Sequence, residues 1–236
     1  MRRVDDFFDR HAAAYHGQRA GMQRFHAVIA DILAHELAGE VLSIGGLWQD
    51  AEVSPPGASL TVADLSEQML RQRAQARTRI RADARALPFR SRTFDHVVLP
   101  LVLHHITGSS GGGGRAQEAA GEAIREARRV IRPGGKLWIS ELCVPRWVYA
   151  AELLVAPLTR RALAAIQTPL VVMHSRAYYD RAMRDAGFAD VRVHVVRPEG
   201  ARGTDWITPI IGVKAFKVPR ALYPVVPTLI SGVVPA

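Results

Sequence analysis

Two residue types are nearly missing from this chain. It has a single cysteine, Cys143, and only three lysines, Lys136, Lys214 and Lys217. One cysteine excludes an internal disulfide framework and a four-cysteine metal site, and no metal is expected. Long apolar runs are also absent: none reaches the roughly 18–20 residues that span a bilayer. The opening "MRRVDDFFDR" lacks the apolar core of a signal peptide. These absences predict a cytoplasmic protein without a membrane span.

Few lysines do not mean few cations. The formal charge is +9, almost all of it arginine. Such a balance suits either an anionic partner or an Arg- and Ala-rich solvated surface. The densest run, "RQRAQARTRIRADARALPFRSR" (Arg71 to Arg92), contains no aromatic residue that could stack on a base except Phe89, which sits in an apolar "LPF". Nucleic acid is therefore not expected as a partner.

At 236 residues and 48% hydrophobic content, the chain is long and apolar enough for one globular domain with a sizeable core. In the N-terminal part, Phe25, Val28, Ile29, Ile32, Leu33 and Leu37 recur at helical spacing, and Gly39 follows as a stop. Short apolar runs then alternate with helical patterns. "EVLSIGG", "SLTVADLS", "FDHVVLPLVLHHI" and "GKLWISELCV" read as buried strands. "SEQMLRQRAQAR", with Ser66 as N-cap, and "RAQEAAGEAIREARRVI", stopped by "RPGG", read as helices. This order predicts a parallel sheet with helices on both faces. After Val144 an apolar, helix-like insert is interrupted by Pro157 and Pro169. "ADVRVHVVRP" and "ITPIIGVKAFKV" read as a final antiparallel pair, followed by a proline-punctuated tail. "GSSGGGGR" lacks the Lys-Ser/Thr of a phosphate loop, and no strand runs directly into it, so it reads as a flexible connection.

In this order and at these spacings the motifs resemble those of class I S-adenosylmethionine-dependent methyltransferases. The likeness is to the small-molecule, ubiquinone-type (methyltransferase type 11-like) branch, and it covers about Phe7 to Lys217. "FFDRHAAAY" is similar to that branch's N-terminal helix. "VLSIGG", "LTVADLSEQML", "ADARALPF", "FDHVVLPLVLHHI" and "EARRVIRPGGKLWISEL" stand at its successive motifs. The resemblance implies an α/β, Rossmann-like sheet of seven strands in the order 3-2-1-4-5-7-6, with strand 7 antiparallel. It divides the chain into an N-terminal helical cap (1–39), a methyltransferase domain (40–217) and an apolar, Pro-rich tail (218–236). Within the domain, 145–173 would be a helical lid insert and 108–115 a flexible Gly-rich loop. Ligands of such sheets bind beyond the carboxyl ends of the strands, beside the first strand.

The implied cofactor is S-adenosylmethionine. Asp64, ending the second strand, would accept the ribose hydroxyls; otherwise it serves the following helix as an N-terminal carboxylate. Leu65 and Met69 would flank the adenine, or simply be core. Asp83 would accept the adenine amino group beside the Ala84 amide, or cap its own turn. Pro100 and Leu101 would line the open side, and Tyr15 and His105 would touch the cofactor. Gly45 and Gly46 would make the turn after the first strand, with Ser43 preceding it. His104 and His105 are the candidate general bases, since imidazole titrates near neutrality. Methyl transfer from an activated sulfonium depends mainly on proximity and alignment. His11, Glu141, Trp147, His174 and Tyr178 are candidates for contact with the acceptor. The apolar insert favours a hydrophobic small molecule, such as a specialised metabolite. A homodimer is left open.

The first motif departs from the family pattern acid-x-Gly-x-Gly-x-Gly. Those positions read Ser43, Gly45, Leu47 and Gln49, and Pro55 and Pro56 shorten the connection that follows. Two readings stay open: a methyltransferase with a remodelled methionine end, or a methyltransferase-like protein that binds a ligand or partner, or runs another reaction, without transferring methyl.

Overall fold

Strand and helix alternate as the apolar periodicity requires. The computed structural model describes residues 6–10, 23–45, 57–72, 76–106, 113–165, 171–196, 206–207, 210–211, 214–215, 218–219 and 224–236. Helix α1 (Gln23–Glu36) leads into β1 (Gly39–Ile44). Then come β2 (Ala58–Asp64), α2 (Glu67–Arg71), β3 (Thr78–Arg81) and β4 (Phe94–Pro100). A 3-10 turn, Leu103–His105, precedes α3 (Gly113–Val130) and β5 (Ile131–Cys143). The rest comprises α4 (Arg146–Ala165), α5 (Arg176–Asp185), β6 (Ala189–Val195) and β7 (Val226–Val233).

The sheet order is β3-β2-β1-β4-β5-β7-β6. The first five strands are parallel, and β7 runs antiparallel to both β5 and β6. Alternation along the strands builds two cores. Leu42, Ile44, Val97, Leu99, Leu137 and Ile139 meet Ala120, Ala123, Ile124 and Ala127 of α3 and Tyr179 and Met183 of α5. Val41, Val98, Trp138 and Leu229 meet Ile29, Leu33 and Leu37 of α1 on the opposite face. The expected helix cap at Ser66 forms: its Oγ accepts from the Met69 amide at 3.1 Å.

Three expectations need correction. The seventh strand is not "ITPIIGVKAFKV" but "VPTLISGV", inside the segment read as a tail. This strand is hydrogen-bonded on both sides and Thr228 to Gly232 are all buried, so it shows no alternation of apolar and polar positions. Gly232 is part of that fit, because a Cβ there would lie 2.7 Å from Met183 Cε of α5. The 207–218 stretch instead contributes to short antiparallel pairs, Trp206–Ile207 with Val218–Pro219 and Ile210–Ile211 with Lys214–Ala215. Pro157 does not break α4, which runs through it. Its ring lies at an exposed position, where water can take the carbonyl that loses its helical partner. Gly113 to Arg115 open α3 rather than belonging to a loop, while 108–112 lie outside the described residues. One strand escaped sequence reading altogether. β3 is the short edge strand "TRIR", with Thr78, Arg79 and Arg81 exposed, so no apolar alternation marks it.

Candidate functional site

Parallel strands place β1, β2, β4 and β5 with their carboxyl ends on one edge. At the end of β1, Gly45 adopts φ 75° and donates its amide to the Ala63 carbonyl at 2.8 Å. A Cβ at Gly45 would lie 2.5 Å from Val102 Cγ2, so the turn is made against the residue that follows β4. Ser43, two residues earlier, is 1% exposed, and its Oγ has no hydrogen-bond partner among the described residues. At the end of β2, Asp64 Oδ1 accepts from the Ser66 amide at 2.8 Å, which fixes the carboxylate at the strand terminus. Met69 is buried below it.

Residues 6–10 are helical and cross this edge. Asp9 Oδ1 accepts from Ser66 Oγ at 2.6 Å and from the Gln68 amide at 3.2 Å. Phe8 meets His105 edge-on, with centroids 5.0 Å apart. The N-terminal segment therefore bridges the start of α2 and the turn after β4.

Asp83 follows β3. Its Oδ1 accepts from the Arg85 amide at 2.9 Å, and its carboxylate takes both Nε and Nη2 of Arg85, at 3.0 and 2.6 Å. Here Asp83 organises its own turn, with the Ala84 side chain buried beside it. The loop is fastened from α3. Glu126 accepts the Leu87 amide, and Arg129 donates to the carbonyls of Leu87 and Phe89. Sequence reading missed these two anchors, although their i, i+3 spacing in "EARR" is visible.

The densest polar group lies where β4 and β5 end. Leu101 leaves β4 with φ 50°, and its amide donates to the Ser140 carbonyl at 2.8 Å. That turn brings Leu103 and His104 back over β5. Glu141 is fully buried; its Oε1 accepts from the Leu103 amide at 2.8 Å, and its Oε2 lies 2.6 Å from His104 Nδ1. A carboxylate only accepts, so it is the Nδ1–H of His104 that donates to Glu141, and Nε2 is the ring nitrogen turned away from that carboxylate. The His104 and His105 rings touch at a tilt of 47°, with centroids 4.1 Å apart.

His174 adjoins this pair. Its carbonyl accepts from the Val144 amide at 3.1 Å, and the His104 carbonyl accepts from the Val172 amide at 3.2 Å. The His174 ring is 1% exposed among Tyr149, Tyr178 and Tyr179, with centroids 5.9, 4.7 and 5.7 Å away. Neither of its ring nitrogens has a hydrogen-bond partner among the described residues, nor does the Tyr179 hydroxyl. Burial first, and His104 second, lower the His174 pKa to about 4, so the ring is neutral near pH 7. Burial likewise raises the Tyr179 phenol well above its ordinary value, and Glu141 adds to the shift. Cys143, at the end of β5, is pushed up to about 12 by burial and is no thiolate nucleophile at neutral pH.

His174 has a direct consequence for stability. The unfolded histidine takes up its proton near 6.5, whereas the folded ring stays neutral until about 4. Its share of stability is thus complete above pH 6.5 and lost as pH falls toward 4. Between pH 7 and 5 this loss is about 2 kcal/mol. Denaturant unfolding at both pH values should show a wild-type drop larger by that amount than the drop in His174→Phe.

Of the expected acceptor contacts, Glu141 and His174 come together with His104. Tyr178 offers its ring to that group, but its hydroxyl donates to the Gln117 carbonyl. Trp147 is a correction: its ring is 62% exposed, because it sits on the outer side of α4. His11, Tyr15 and Gly46 lie outside the described residues. Tyr179, another residue that the sequence offers for the acceptor pocket, has its ring centroid 5.7 Å from that of His174. No cluster of metal-ligating side chains occurs among the described residues.

Comparison with known proteins shows the family. A family model described as a methyltransferase domain matches residues 43–139. The ubiquinone/menaquinone biosynthesis C-methyltransferase UbiE of Paracoccus denitrificans (strain Pd 1222) is 35% identical over 108 residues, 40% of this chain and 39% of that protein. The demethylmenaquinone methyltransferase of Mycolicibacterium gilvum (strain PYR-GCK) is 31% identical over 166 residues, 64% of this chain and 68% of that protein. The match to the UbiE protein thus spans about two fifths of its length. Two solved structures share the fold. One is from the complex between the Haloferax volcanii Trm112 methyltransferase activator and a methyltransferase, with TM-score 0.64 and 19% identity, covering 99% of this chain and 98% of that one. The other is Haemonchus contortus phosphoethanolamine N-methyltransferase 2 in complex with phosphomonomethylethanolamine and S-adenosylhomocysteine, with TM-score 0.61 and 14% identity, covering 100% of this chain and 61% of that one. The chain belongs to the class I S-adenosylmethionine-dependent methyltransferases.

Proposed function

We propose that this protein transfers a methyl group from S-adenosylmethionine to a hydrophobic small molecule bearing a hydroxylated aromatic ring, of the quinol type suggested by the names of its curated relatives. The observation that carries this reading is the buried His104–Glu141 pair beside a neutral His174, at the carboxyl edge where the family binds its cofactor.

The residues present suit the cofactor. Asp64 supplies a carboxylate at the β2 terminus for the ribose, Met69 and Leu65 an apolar flank for the adenine, and Asp83 with Ala84 the adenine-facing turn. The buried Ser43 hydroxyl gives a polar contact near the methionine end, beside the Gly45 turn. Bound there, S-adenosylmethionine supplies a methyl carbon already activated by its sulfonium.

The chain then has three tasks. It must exclude water, hold the acceptor in line and take up a proton. Helix α4 roofs the site, with Val148 packed on Val144 and Val225 and Tyr149 against His174. His174, neutral and buried, can donate from one nitrogen and accept at the other, which matches a ring hydroxyl or carbonyl. His104, its Nδ1 proton held by Glu141, takes the hydroxyl proton at Nε2. Glu141 then balances the imidazolium that forms.

The alternative, a methyltransferase-like protein without transfer, is favoured by the Arg85 side chain on Asp83 and by the altered first motif. The deciding experiment incubates the protein with methyl-labelled S-adenosylmethionine and hydrophobic phenols and hydroquinones. Label in the ring or its oxygen is the expected product. No labelled product, with the cofactor demonstrably bound, would support the alternative.

A further inference from the structure

Helix α4 is apolar on both its sides, which an ordinary surface helix is not. Its inner side covers the site through Val148 and Tyr149. Its outer side carries Trp147, Ala151, Leu154, Leu158, Ala162 and Ala165, spaced by three or four residues, and every one is exposed. Trp147, Leu154 and Leu158 are 62%, 82% and 73% exposed, and Val155 adds 50% along the edge. The stripe runs about 27 Å at 1.5 Å per residue. An apolar strip of this extent on a soluble surface marks a docking face.

Its charges choose the occupant. Arg146 stands at one end of the helix and Arg160 and Arg161 near the other, with Glu152 the sole acid in the helix. Arg146 and Arg161 are exposed. A second copy would bring the same net positive charge to this face, three arginines to one glutamate in each helix. A parallel two-fold pairing would set each arginine against itself. Either two-fold pairing, parallel or antiparallel, brings helices of like net charge together. An anionic lipid surface complements both ends of the helix and the net charge of +9, while the apolar stripe enters the acyl boundary and Trp147 takes the interfacial position tryptophan favours. No described helix is long and apolar enough to cross a membrane, so the contact is in plane.

We propose that the outer face of α4 docks the protein on an anionic membrane surface, so that a lipid-soluble acceptor passes beneath this helix to His174. The passage rests on the acceptor site proposed above; the docking does not.

The test is flotation of the full chain with phosphatidylcholine vesicles, with and without phosphatidylglycerol. The wild-type chain should float with the anionic vesicles only, and less at high salt. The double variant Leu154→Glu, Leu158→Glu should lose at least about ten-fold of that binding. Because both residues are exposed, its melting temperature and its affinity for S-adenosylmethionine should stay those of the wild type. Absence of flotation with anionic vesicles would overturn the proposal. So would equal flotation of the double variant, or a wild-type dimer that this variant splits. Flotation without cofactor binding would support the docking and overturn only the methyl-transfer reading.

Discussion

Replacing Glu141 by alanine is expected to cost about 2–6 kcal/mol of folding free energy, because it strands two buried hydrogen-bond donors at about 1–3 kcal/mol each. The carboxylate is wholly shielded from water and satisfies two donors, the Leu103 amide and His104 Nδ1. Without it both are stranded in a closed interior at the junction of β4 and β5. Urea unfolding measures the loss. Glu141→Gln separates fold from chemistry. Its amide oxygen can still accept one of the two donors, so the stability loss should fall to about 1–3 kcal/mol. Its amide nitrogen then faces a donor, and His104 loses both its fixed tautomer and its counter-charge. Methyl transfer by this variant should drop by about 10²–10⁴ if His104 is the proton acceptor. Unchanged turnover in folded Glu141→Gln would remove His104 from the chemistry and leave the pair a structural clamp.

The second large effect is expected at Gly45. Its φ of 75° lies in the left-handed region, costing about 1–2 kcal/mol for a residue with a Cβ. That Cβ would also lie 2.5 and 2.7 Å from Val102 Cγ2 and Cβ, closer than real contacts allow. Relieving the clash means moving Val102, one residue from the Leu103 amide that Glu141 holds. Gly45→Ala should therefore lose about 2–5 kcal/mol in total, strain and overpacking together. It should also weaken cofactor binding, because the turn that ends β1 is displaced. Thermal unfolding and cofactor titration of the same preparation would show both. A variant with wild-type melting would mean that the turn is not held against Val102.

These two sites show what the sequence could and could not convey. The first-strand turn was legible because an apolar run ending in glycine has few other uses. The resemblance pointed to the carboxyl edge because "LTVADLSEQML" and "FDHVVLPLVLHHI" each end a strand with a polar or special residue. Glu141 is a candidate acceptor contact from sequence, and only the fold shows that Leu103 and His104 turn back onto it. His174 is a candidate from its place at the end of the apolar insert, but its neutral state depends on burial among tyrosines of both α4 and α5. β7 was misplaced because a central strand carrying Pro227 and Gly232 looks like a tail. Trp147 was assigned inward because α4 is apolar on both sides, so periodicity has no polar face from which to orient it.

The central claim is that the carboxyl edge of this sheet holds S-adenosylmethionine although its first motif keeps a single family glycine. Calorimetric titration of the wild-type chain and Asp64→Ala with S-adenosylmethionine and S-adenosylhomocysteine tests it most directly. Charge-assisted hydrogen bonds contribute about 1.5–3 kcal/mol. The account therefore predicts saturable wild-type binding of both ligands, weakened roughly 10- to 100-fold in Asp64→Ala, with the variant's fold intact. No heat of binding from folded wild-type protein at millimolar ligand, or equal affinity in Asp64→Ala, would contradict it.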